Sequence, residues 1–151
     1  MKGIYFSVLL ITIFSCATDK NLNSNKETLE ISKSIQNKVI KATLGEKKSI
    51  SAAFQITGVS INANIMTIDV NYSGGCDVHS FEMIGSLMMA KSLPPIRTIH
   101  LIHISNEDKC EKLIKEKILV DISDLSFKKE KGNEIFLTLE GWPEKIKYIY
   151  E

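Results

Sequence analysis

The sequence predicts a mainly β protein, an antiparallel β-sandwich, immunoglobulin-like or related, of about seven short strands with one short helix. Three observations predict it. Apolar and polar residues alternate, most clearly where Met66, Ile68, Val70 and Tyr72 interleave with Thr67, Asp69, Asn71 and Ser73, which is the period of a strand with one buried face. Turn-forming clusters recur at short spacing: Asn62-Ala63-Asn64, Gly74-Gly75, Pro94-Pro95, Gly132-Asn133 and Gly141-Trp142-Pro143. A single segment inside the domain has helical spacing instead. With 151 residues, 44% hydrophobic and 25% charged, the chain has room for one domain with a buried core.

At the N-terminus, Met1-Lys2 is followed by an apolar run from Ile4 to Phe14 and then by Ser15-Cys16, the layout of a secretory signal with a small-residue cleavage site. The run is too short for a comfortable membrane span. Its end, Ile13-Phe14-Ser15-Cys16, resembles the lipobox of bacterial lipoproteins, with Phe14 where a small or aliphatic residue is usual. That resemblance implies removal of residues 1–15 and a covalent lipid on Cys16, and no cofactor is expected beside that lipid. Several acyl chains hold a protein on a membrane more firmly than one. The expected location is therefore the cell envelope, lipid-anchored on the outer membrane. Cleavage removes Lys2 and no acid, leaving 18 basic residues (19 less 1) against 18 acidic ones. A balanced chain lacks the concentrated basic surface that phosphate binding needs, so no nucleic-acid partner is expected.

Residues 16–45 read as the lipidated N-terminus and a flexible tether, since the stretch after Ala17 is too polar to bury an ordering surface. Within it, Ile31, Ile35 and Val39 recur every four residues and permit a short helix, while Val39-Ile40 and Thr43-Leu44 would equally begin a strand. Gly45-Glu46-Lys47-Lys48 is a turn, and the β-sandwich domain is placed at 46–151. Its strands are expected at 53–60, 66–72, 79–85, 98–104, 118–122, 135–140 and 145–150. The helix is expected at 106–114, capped by Asn106, with acids in its first turn and Cys110, Leu113 and Ile114 on one face. The connection at 86–95 is rich in methionine, and Met88 and Met89 there either fill gaps at the end of the core or offer a hydrophobic lip to a partner. Trp142, at a turn, has the same two readings.

The residues with chemistry gather around Gly74-Gly75-Cys76-Asp77-Val78-His79, between two strand-like runs, where the glycines permit a tight or bulged connection and close approach of another group. With Cys16 set aside, Cys76 and Cys110 form an even pair in an oxidising compartment, and a disulfide is expected, worth about 3–4 kcal/mol on the chain-entropy model. The competing reading is copper or zinc. Cys76-x-x-His79-x-x-x-Met83 resembles the Cys-His-Met loop of blue-copper proteins, but that family takes its other histidine from an upstream strand, and none precedes Cys76. His103 or His100 would have to complete the set Cys76, His79 and Met83. His100 and His103, three apart on one strand, face opposite sides. Taken alone, His79 has Ser73, Asp77 and Ser80 near it in sequence as hydrogen-bond partners. There is no Gly-x-Ser-x-Gly elbow, phosphate loop or His-Glu-x-x-His, and no enzyme is expected.

The pattern Asn71-Tyr72-Ser73-Gly74-Gly75-Cys76-x-x-His79-x-Phe81, then Leu93-Pro94-Pro95, Cys110 and Asp121-Ile122-Ser123-x-Leu125, resembles a group of uncharacterised lipoproteins of Bacteroidetes-type bacteria. The resemblance runs from Met66 to Tyr150 and implies a compact lipoprotein domain without bringing an activity. The expected function is a non-catalytic, lipid-anchored module that binds a protein or small-molecule partner or serves structurally. Metal binding through Cys76 and His79 is the alternative.

Overall fold

The computed structural model describes residues 38–151. The signal segment 1–15, Cys16 and the tether up to residue 37, including the helical spacing at Ile31 and Ile35, lie outside the described residues. Among the described residues there are nine strands: β1 (Val39–Lys41), β2 (Thr43–Gly45), β3 (Gln55–Asn62), β4 (Ile65–Gly74), β5 (Ser80–Ala90), β6 (Ile96–Ile104), β7 (Lys112–Asp121), β8 (Glu134–Leu139) and β9 (Lys145–Ile149). They form two sheets, in the orders β1-β7-β4-β3 and β2-β5-β6-β8-β9. Alternation sets which side chains face in. Met66, Ile68, Val70, Ile118 and Val120 from the first sheet meet Met83, Ile99, Leu101, Ile135, Leu137 and Tyr148 from the second in one core, so the fold is a β-sandwich.

Every expected strand is found, and three features correct the sequence reading. There are nine strands rather than about seven, because 39–45, assigned to the tether, pairs into the domain. There β1 lies along β7 and β2 along β5, with Ala42 between them fully buried and its N–H donating to the Asp121 carbonyl at 2.9 Å. The sheets are mixed rather than antiparallel, since β1–β7, β2–β5 and β6–β8 are parallel. After β6 the chain crosses to the other sheet for β7 and returns to the same end, which makes β8 parallel to β6. Finally, 106–114 is no helix. Asn106 and Glu107 both have positive φ, which makes a turn, and Lys112 to Ile114 already pair with Gly74 to Tyr72. The one helical turn among the described residues is a 3₁₀ turn at Ser123–Leu125.

The first half of the methionine-rich connection, 86–90, is strand. β5 continues to Ala90 with a register shift between Gly85 and Met89 that throws Leu87 and Met88 outward. Arg97, 4% exposed, fixes this irregularity: Nη1 donates to the Ser86 carbonyl and Nε to the Leu125 carbonyl at 3.0 Å. Burial holds the Arg97 guanidinium below its ordinary value.

Candidate functional site

At one end of the sandwich the Gly74-Gly75 turn, the start of β5, the end of β6 and the turn before β7 meet. Gly75 has φ of 113°, and Gly74 has no room for a side chain, because a Cβ there would lie 2.5 Å from His79 Nε2. The histidine ring occupies the space that this glycine leaves. Cys76 and Cys110 form a disulfide with their Cα atoms 5.9 Å apart, tying this turn to the one before β7.

Asp108 is the hub. Its Oδ2 accepts N–H bonds from Gly75 at 2.8 Å and from Cys76 and Asp77 at 3.0 Å, and its Oδ1 accepts from Cys110 N–H at 2.8 Å. His79 Nε2 lies 3.0 Å from the same Oδ2, with the carboxylate side chain 0% and the imidazole 4% exposed. The bond from His79, then those from Cys110, Cys76 and Asp77, hold the Asp108 carboxyl well below the usual carboxylate range. On its other side His79 Nδ1 meets His103 Nε2 at 2.8 Å, and His103 Nδ1 meets the Ala53 carbonyl at 3.3 Å. Burial lowers the pKa of His103.

The chain Asp108–His79–His103–Ala53 ends in an acceptor on each side, the Asp108 carboxylate facing His79 Nε2 and the Ala53 carbonyl facing His103 Nδ1, with His79 Nδ1 and His103 Nε2 paired between them. Around the rings, Phe81 stacks on His103 at 4.6 Å and Tyr72 on His79 at 4.7 Å. The Tyr72 hydroxyl donates to Glu116 Oε2 at 2.6 Å, and burial, reinforced by this bond, raises its pKa. Among the described residues, every buried side-chain nitrogen and oxygen has a partner.

The expected site residues fall as follows. Cys76 and Cys110 are joined, and His79, Met83 and His103 all point inward, with Met83 deep in the core. Cys76, Asp108 and Cys110 bring donor atoms within 4.8 Å of one another, yet the two sulfurs are bonded to each other and offer no thiolate. His100 turns away from His103 to Glu140 Oε2, 2.8 Å from its Nδ1. Met88 is 81% exposed, whereas Met89 and Trp142 pack against the core. The partner of His79 is none of Ser73, Asp77 and Ser80 but Asp108, far along the chain. The sequence signal for it was an aspartate two residues before a cysteine, read as the first turn of a helix.

A second feature lies along β6. A cavity of about 350 Å³ opens beside it, lined among others by Lys47, Phe54, Ile56, Leu101 and Glu140. Lys47 Nζ and Glu140 Oε2 pair across its rim at 2.7 Å.

No protein-family model matches the chain, and no curated protein does. Solved structures do. A NigD-like immunity protein from Bacteroides caccae superposes with a TM-score of 0.56 at 11% identity, covering 75% of this chain and 64% of that one. A protein described as toxin-related from Parabacteroides distasonis gives 0.47 at 14% identity, over 74% of this chain and 61% of the other. A DUF1344 protein of unknown function from Bacteroides vulgatus gives 0.47 at 14%, over 74% and 56%. The matched part of each is less than two thirds of its length. The likeness to the immunity protein is one of fold.

Proposed function

We propose that this chain is a non-catalytic binding module of the bacterial cell envelope, anchored by lipid on Cys16, whose disulfide and buried histidine pair are structural. One observation carries the non-catalytic part. The groups with catalytic or metal-binding chemistry are all engaged with one another: the Cys76 and Cys110 sulfurs in a bond, and His79, His103 and Asp108 in a closed, buried circuit. A nucleophile or ligand needs a free lone pair facing a substrate or ion. The lipobox-like Ile13-Phe14-Ser15-Cys16 and the resemblance to Bacteroidetes-type lipoproteins support the anchor and location. The fold shared with a NigD-like immunity protein supports a partner that is itself a protein.

Intact mass of the membrane-extracted chain, alkylated with and without prior reduction, tests this reading together with metal analysis. The expected result is loss of residues 1–15, a lipid mass on Cys16, no alkylation of Cys76 or Cys110 before reduction, and no stoichiometric metal. Two free thiols with stoichiometric copper or zinc would replace it with a metal centre at Cys76, His79, Met83 and His103. An unmodified Cys16 would remove the anchor.

A further inference from the structure

The β8 edge of β6 is interrupted at one residue. Glu140 N–H donates to the Ile99 carbonyl at 3.1 Å, and Ala52 N–H donates to the His103 carbonyl at 2.8 Å. Main-chain groups two residues apart on a strand point the same way, so Leu101, between these two, faces the same edge. Its cross-strand neighbour Met83 turns its own carbonyl to the opposite edge, toward Thr43 Oγ1 at 3.5 Å, so Met83 and Leu101 are a pair that exchanges no hydrogen bonds. The pairing of β6 with β8 ends at Ile99 and Leu139. Among the described residues, the Leu101 N–H and C=O have no protein partner, and Leu101 lines the cavity.

We infer that this gap binds a short extended peptide segment, which adds beside β6 as a strand fragment and lays an apolar side chain against Phe54 and Ile56. The inference rests on the binding-module reading and names its ligand class. A strand edge one residue long offers one donor and one acceptor, the pattern that peptide main chain satisfies in strand addition. The apolar side walls give a side chain a place. The Lys47 and Glu140 pair, at the rim and half exposed, presents both charges to whatever polar groups flank that side chain. A purely apolar ligand would fill the volume but leave the Leu101 amide and carbonyl unpaired away from water.

The test uses the full ¹⁵N-labelled chain in micelles, titrated with N-acetyl-Ala-Leu-Ala methylamide and with the same peptide N-methylated at its leucine nitrogen. The parent peptide is expected to shift the Leu101 amide resonance saturably, and the N-methylated one to bind at least about tenfold more weakly. Gln55→Trp, a change at an exposed position on the cavity wall, is expected to abolish the shift with the rest of the spectrum retained. No saturable shift at millimolar peptide would overturn the inference. Equal affinity for the N-methylated peptide would also overturn it, and needs no variant. Either failure leaves the anchor and disulfide standing, since those are read by mass.

Discussion

His103 and Leu101 sit two residues apart on the same edge of the same strand, and their surroundings are opposite. The loop before β3 closes over His103, taking its carbonyl with Ala52 N–H, its N–H with Ser51 Oγ and its ring with the Ala53 carbonyl. Leu101 receives nothing from that loop or from the end of β8. The difference shows how one sheet can hold a closed polar circuit, which fixes structure, next to an open edge, which is available to another molecule.

The largest way to break the closed side is to remove the disulfide. Replacing both Cys76 and Cys110 by alanine, which opens a link across 34 residues, is expected to cost about 3–4 kcal/mol in denaturant unfolding. Next is Gly74→Ala, which sets a methyl group into the buried His79 ring and is expected to cost about 1–3 kcal/mol, read in the same way. His103→Phe keeps the stacking on Phe81 but leaves His79 Nδ1 without its partner, with an expected cost of about 1–3 kcal/mol.

Acid gives a graded version of the same break. Burial holds the pKa of His103 down in the fold, and hydrogen bonds hold that of Asp108 down, so the unfolded chain takes up each proton at a higher pH. Their stabilisation is complete above the unfolded values and is lost as pH falls, for His103 from roughly pH 6.5 and for Asp108 from roughly pH 4. The melting-temperature gap between the wild type and His103→Phe is expected to narrow on acidification. On the open side, Gln55→Trp is expected to change stability by less than about 0.5 kcal/mol, which would sharpen the contrast.

The two sides also differ in how far the sequence revealed them. Strand β4 was legible because Met66, Ile68, Val70 and Tyr72 are an unbroken inward row. The cysteine pairing followed from compartment and count. The first half of strand β7 was hidden because the row Ile114, Glu116, Ile118 and Val120 is broken by an exposed glutamate, whose reason is the hydroxyl of Tyr72 in the neighbouring strand. Asp108 was misread as a first-turn acid of a helix, since the N–H groups that its Oδ2 accepts from belong to a turn about thirty residues earlier. The parallel ladders and the opening at Leu101 depend on which strands become neighbours and where β8 stops, and alternation within a strand carries neither.

The short strands β1 and β2 have a mechanical consequence. Each is held by three ladder pairs, one on either sheet, and they are the first described structure along the chain. Tension arriving from the N-terminal side would strip β1 and then β2 before loading the core. Release of residues 39–45 alone would add up to roughly 25 Å of reach.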